Sequence, residues 1–274
     1  MPIYTLIRTQ SPVKSTNRED YQDVPRPVGA MAKEYPDGYV SRTHRHVRAQ
    51  LLYAVAGVME VTTVEGLWMV PPQRAVWLPP QTDHAMRARG KVALRTLYVR
   101  PDACPSGFPA RPRLVHVSPL LRELVVRAVE MPVEYDEAGR EGRVVSLIFD
   151  EVAWMPDRPL HLAEPRDKRL AAIHSALLSD PADRRGLEQW AKYAGASART
   201  LARLCRTECG ASFLHWRQQH RILAALPRLA AGEAVTNVAL DLGYETPGAF
   251  AAMFRKLMGT TPSAYFRDQD AAAP

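Results

Sequence analysis

Between Gln50 and Arg100 apolar residues come in short runs broken by turn formers: QLLYAVAGVMEVTTVEG, LWMVPPQRAVWLPPQTDHAMRA and KVALRTLYVR. Gly38, Gly57, Gly66 and Gly90, with the pairs Pro71-Pro72 and Pro79-Pro80, punctuate this part of the chain. Short strands with frequent turns and no intervening helical period predict a β-barrel or sandwich. The period changes at Ser118. Ser118-Pro119 places a capping residue before a proline at the first helical position, followed by LLRELVVRAVEM, and a second helical pattern runs through GRVVSLIFDEVAWM. The stretch MPDRPLHLAEPRD holds Pro156, Pro159 and Pro165, cannot continue a helix, and is predicted to be a linker. Beyond Arg166 the whole pattern is helical. The expectation is an α+β two-domain chain: a β-rich domain over 1–115, helices and a linker over 116–165, and an all-α domain over 166–274.

The all-α part repeats itself. Ala191 and Gly195 recur 48 residues later as Ala239 and Gly243, while Arg206, Gly210 and Trp216 recur at a spacing of 49 as Arg255, Gly259 and Tyr265. Each copy reads helix, glycine-containing turn, helix. The small alanine lets the two helices cross closely, and the glycine four residues on can take the left-handed conformation that ends the first helix. Ser197 then stands at the N-cap of the next helix in the first copy, and Thr246, followed by Pro247, in the second. This is helix-turn-helix grammar, with units predicted over 187–208 and 235–257.

Two such units joined by one long helical segment are far more specific than one. Residues 166–270 resemble the DNA-binding domain of AraC/XylS-type transcription regulators; AVTNVALDLGYETPGAFAAMFRKLMGTTPSAYF and SARTLARLCRTECGASFLHWRQQHRI carry the resemblance. It implies that the second helix of each unit enters the major groove of a double-stranded DNA operator. In the first unit Leu201, Leu204 and Cys205 share the inward face, leaving Arg199, Thr200, Arg203 and Arg206 outward. Base reading is favoured over phosphate contact for Arg199 and Arg203, and phosphate contact for Arg206. The second unit departs from the family pattern. Its outward positions are Gly248, Ala249, Ala251 and Ala252, with no side-chain donor, so Arg255 and Lys256 are expected to anchor it on phosphates. Ser197 and Thr246, at the helix starts, complete the expected DNA-binding set.

The β-rich domain carries a second pattern. Gly38-x5-His44-x-His46-x3-Gln50-x6-Gly57 and Pro79-x-Gln81-x2-His84 resemble the two metal motifs of cupin barrels. Gln50 stands where that family usually has Glu, and Gln81 where it has Gly. On a continuous strand His44, His46 and Gln50 would share one face. The resemblance implies a site for one divalent transition metal (Zn, Ni, Fe or Mn) formed by His44, His46, Gln50 and His84. Histidines lining a pocket without metal remain the alternative. Tyr53, Trp68 and Trp77 are candidates for the wall of a pocket for a small-molecule effector, although Tyr53 has the opposite parity to Gln50.

Composition adds a bias and some exclusions. The chain has 274 residues and a net charge of +7, and residues 166–274 hold 15 basic against 10 acidic side chains. Such an excess suits phosphate-backbone contact. No run approaches the about 18 apolar residues of a membrane helix, the first ten residues lack a secretory apolar stretch, and three cysteines indicate no disulfide framework. The expectation is a cytoplasmic, one-component regulator that is not an enzyme and has no membrane partner. The helices of 118–155 would pair two subunits into a homodimer and couple the effector domain to the DNA-binding domain. RNA polymerase is a further partner if the output is activation. The alternative from another class is a cupin metalloenzyme, a dioxygenase or isomerase, with a DNA-binding tail.

Overall fold

The computed structural model describes residues 14–155 and 160–270, the side chains of 267–270 excepted. Strands β1 (Val28–Tyr35), β2 (Ala49–Thr63), β3 (Gly66–Val70), β4 (Arg74–Leu78), β5 (His84–Val99) and β6 (Arg113–His116) form the N-terminal part. Helices α1 (Pro119–Glu130) and α2 (Arg140–Asp150) follow, then short strands β7 (Ala153–Trp154) and β8 (His161–Ala163). The remainder is helical: α3 (Lys168–Ser179), α4 (Leu187–Tyr193), α5 (Ala198–Glu208), α6 (Phe213–Ala230), α7 (Val235–Asp241), α8 (Pro247–Met258) and α9 (Pro262–Asp270). The sheet-rich domain followed by helices is the α+β order that the sequence predicts.

Strands β2 and β5 are long enough to belong to two layers. The first half of β2 pairs with β4 and the second half of β5, which also carries β1. The second half of β2 pairs with β3 and the first half of β5. Register shifts between Ala54 and Ala56 and between Ala56 and Val58 mark the crossing, where bulges bend the strand from one layer into the other. Gly57 sits there with φ +76, and a Cβ on it would lie 2.3 Å from the Lys91 carbonyl oxygen. Only glycine fits that corner.

Alternation along β2 sorts the side chains. Gln50, Leu52 and Ala54 face between the layers; Ala49, Leu51 and Tyr53 face outward and are covered by α1 and α2, with Leu121, Val125, Val145 and Ile148 buried against them. The two helices thus complete the outside of the sheet, whereas the join to the DNA-binding helices runs elsewhere. Within the proline-rich stretch, β8 pairs with β3, and Trp68 and Leu162 belong to the same buried cluster as Leu170, Ile173 and Leu177 of α3. Gln73 also donates from Nε2 to the Tyr265 carbonyl oxygen of α9 at 2.7 Å. α6 continues through Pro227 as one helix.

Candidate nucleic-acid interface and effector pocket

The repeat folds as two helix-turn-helix units, α4–α5 and α7–α8, joined by α6. Ala191 and Ala239 are buried where the paired helices cross, and Gly195 and Gly243 are both left-handed, with φ 65 and 78. Ser197 accepts a hydrogen bond from the Thr200 amide at 3.1 Å, and Thr246 accepts one from the Ala249 amide at 3.2 Å. The Thr200 hydroxyl lies 2.9 Å from that of Ser197, so these two side chains serve the start of α5.

On α5, Leu201, Leu204 and Cys205 are buried, and Phe254 is buried at the matching place on α8. Arg199, Arg203 and Arg206 are exposed, and among the described residues their side chains have neither a salt bridge nor a hydrogen bond. Several other arginines of the helical domain are already engaged. Arg169 pairs with Asp167, Arg185 with Asp183, and Arg228 with Glu233 and Asp241. Three unpaired guanidiniums thus stand on the outward side of α5, where five fixed donors per side chain are available to bases or phosphates. On α8 the exposed positions are Gly248, Ala249, Ala252, Arg255 and Lys256, with Ala251 half-buried. Cations stand only in the last turn of that helix.

A second site lies between the two sheet layers. His44 and His84 exchange backbone hydrogen bonds as an isolated antiparallel bridge, at 2.9 and 2.8 Å. His46 follows in a loop, and its carbonyl accepts from the Gln81 amide at 2.8 Å. Gln81 has φ 62, the left-handed conformation that explains the glycine of the cupin pattern at this place. The histidines thus converge through a bridge and a loop, not through the continuous strand that their shared parity implied.

The imidazoles of His44, His46 and His84 present one ligand atom each, all within 4.8 Å of one another. His44 Nδ1 contacts the Arg42 carbonyl at 2.8 Å and His84 Nδ1 the Thr82 carbonyl at 2.9 Å, so each donates there and keeps Nε2 as a lone-pair donor. Among the described residues, both ring nitrogens of buried His46 lack a partner, as does Oε1 of buried Gln50. Gln50 Nε2 donates to Thr96 Oγ1 at 3.0 Å, which in turn donates to the Leu51 carbonyl at 3.1 Å. Burial, with neighbouring imidazoles adding to it, pushes His46 down to about 3; burial also pushes His84 down to about 4 and lowers His44. Neutral imidazoles with orphaned nitrogens are the form that a metal takes up.

The adjoining cavity is about 190 Å³ and is lined by His44, His84 and Gln50, by Tyr35, Tyr39 and Tyr98, and by Arg18, Glu19 and Lys33. Tyr53, Trp68 and Trp77 do not line it. Tyr53 and Trp77 point to the outer face beneath α1 and α2, where Trp77 donates to the Pro109 carbonyl, and Trp68 donates to Thr63 and stacks on His161. Strand parity decides this: Leu51 pairs with Trp77, both on the outer face, and Gln50 pairs with Tyr98 on the inner one. The alternation along β5 held the signal for Tyr98, whereas Tyr35, Tyr39 and the segment around Arg18 arrive from elements whose packing the pattern leaves open.

Two family models match, the AraC-like ligand binding domain over residues 30–127 and the Helix-turn-helix domain over residues 190–268. The HTH-type transcriptional regulator NimR of Escherichia coli (strain K12) is 33% identical over 238 residues, which span 87% of this chain and 86% of NimR. The chain belongs to the AraC-type transcriptional regulators. The HTH-type transcriptional regulator RipA of Corynebacterium glutamicum is 28% identical over 226 residues, covering 81% of this chain and 62% of RipA. ToxT from Vibrio cholerae strain SCE256, solved with unsaturated fatty acid bound, aligns over 90% of this chain and 97% of ToxT with 11% identity and a TM-score of 0.38. As an AraC-type regulator, the chain joins a ligand-binding domain to a DNA-binding domain, and the histidine cluster with Gln50 falls inside the first and both helix-turn-helix units largely inside the second. No helix among the described residues is long and apolar enough to cross a membrane.

Proposed function

We propose that this AraC-type regulator reads a specific duplex operator chiefly through Arg199 and Arg203 of α5, with Thr200 and Arg206 beside them. Arg255 and Lys256 of α8 anchor the second unit on phosphates, and Ser197 and Thr246 hold the helix starts against the backbone. The observation that carries this reading is the contrast between unpaired arginines on one recognition helix and alanines on the other. Footprinting with the full chain on DNA flanking its own gene tests it. Protection of one discrete site, lost when Arg199 and Arg203 are both replaced by alanine, is expected; uniform protection unaffected by the change overturns it.

The orphaned nitrogens of His46 and the free Oε1 of Gln50 fit a divalent metal. His44, His46 and His84 would hold Zn, Ni, Fe or Mn with Gln50 as the oxygen donor, and such an ion would supply a Lewis-acidic position for an effector atom. The side chains of the pocket do the rest: the tyrosine rings exclude water, and Arg18, Glu19 and Lys33 set the charge that an entering molecule meets. The family membership favours a sensor over the dioxygenase or isomerase alternative.

A homodimer through α1 and α2 is supported by Leu120, Val133 and Leu147, apolar residues exposed on or beside these helices. A regulator of this kind acts in the cytoplasm, and contacts RNA polymerase where its output is activation. Because β8 and α6 connect the sheet to the reading helices, an effector that shifts β3 or β5 reaches the DNA through them.

A further inference from the structure

We propose that the effector of this pocket is a small flat carboxylate whose anionic oxygen joins the histidine-held metal and supplies the negative charge that Gln50 does not. This deepens the metal reading above and rests on it.

The donor set is uncharged. Three neutral imidazoles and an amide oxygen leave both charges of a divalent cation uncompensated in a buried site, and an uncompensated buried charge is costly. The pocket wall does not provide the balance. Glu19 is the acidic residue among its lining residues, and that carboxylate is already paired with Arg18 at 3.0 Å. Lys33 adds a further positive charge: its ammonium lies 5.2 Å from the centre of the Tyr35 ring and has no salt bridge among the described residues. Gln50 can offer its amide oxygen but no charge, with Nε2 held by Thr96. Cation, Lys33 and neutral ligands together make a site short of anions.

Size and shape narrow the class. At about 190 Å³ the cavity is at the small end for ligand sites, which suits a single ring and its substituent. The Tyr35 and Tyr39 rings, 4.4 Å apart at their centres, and Tyr98 offer flat apolar walls. One carboxylate can then reach the metal position while the ring lies among the tyrosines.

The experiment uses the full chain loaded with Co²⁺, whose visible spectrum reports a change of ligand, and compares 2-furoate with its neutral isostere 2-furamide. Furoate is expected to change the spectrum and to tighten Co²⁺ binding by tenfold or more, and furamide to do neither. Gln50→Glu is expected to bind Co²⁺ at least tenfold more tightly without furoate and to lose the furoate effect. Lys33→Ala should reduce the furoate effect severalfold while leaving Co²⁺ affinity alone unchanged. If Co²⁺ binds but furoate and furamide act alike on the unmodified chain, the inference fails and the metal reading stands. If neither the unmodified chain nor Gln50→Glu takes up Co²⁺, both fail together. The comparison of the two probes needs no variant, so a poorly folded substitution leaves the test intact.

Discussion

His174 Nδ1 lies 3.0 Å from His220 Nε2 in the buried seam between α3 and α6. The other nitrogen of His220, Nδ1, is 2.9 Å from the Trp216 carbonyl and must donate to it, which makes Nε2 the acceptor and His174 Nδ1 the donor. His220 satisfies this chain as a neutral ring, since adding a proton to it would place two donors face to face, while the other nitrogen of His174 lies 3.7 Å from Glu164 Oε2. Burial accordingly pushes His220 down to about 3 and lowers His174.

That arrangement sets a pH dependence of stability. With its folded value depressed below the unfolded one, His220 takes up a proton on unfolding, so stability is complete above about 6.5 and falls as the pH drops toward 3. At pH 5 this one group should cost about 2 kcal/mol. Buried His46 and His84 act in the same direction. Urea unfolding midpoints are expected to decrease from pH 7.5 to pH 5; midpoints unchanged across that range would contradict the buried neutral pair.

The two reading helices should respond differently to truncation. Arg203→Ala is expected to cost roughly 1–3 kcal/mol on the operator and to relax preference at one or two base pairs. Lys256→Ala should weaken binding by a similar factor on every sequence and lower the salt slope by about one. Titrations on the operator, single-base variants and random DNA at several salt concentrations separate the two. A reversal of the two patterns would exchange the assigned roles.

Removing one imidazole from the histidine cluster should release metal without touching the DNA surface. His46→Ala is expected to weaken Zn²⁺ binding by on the order of tenfold or more, because a neutral nitrogen donor is lost from a set with no carboxylate. Calorimetric titration with Zn²⁺ reads this directly. The salt slope of binding to random DNA should stay as it was, since Arg199, Arg203 and Lys256 lie in the helical domain.

Gly57→Ala probes the corner where β2 crosses between layers. A Cβ there meets the Lys91 carbonyl at 2.3 Å in a left-handed backbone, so steric overlap adds to conformational strain. A loss of about 3 kcal/mol is expected in chemical denaturation. Stability equal to that of the unmodified chain would show that the strand can bend without glycine at this place.

The sequence by itself determined the helical domain almost completely. Its signals are local: the 48- and 49-residue repeat, the glycine that ends each first helix, the hydroxyl that caps each second one, and the inward face of α5 all depend on neighbours within a few residues. The cluster of His44, His46 and His84 was also legible from motif spacing, although the route to it was not. Tertiary structure alone decided which aromatics face the cavity, since one step in strand register sends a side chain to the opposite layer, and Tyr53 and Trp77 fell on the outer face while Tyr98 fell on the inner. It also decided that β8 and α6, rather than α1 and α2, join the sensor to the reading helices. Pairing between Gly66 and Ala163 spans almost a hundred residues, and no periodicity within a short window encodes a partner that distant.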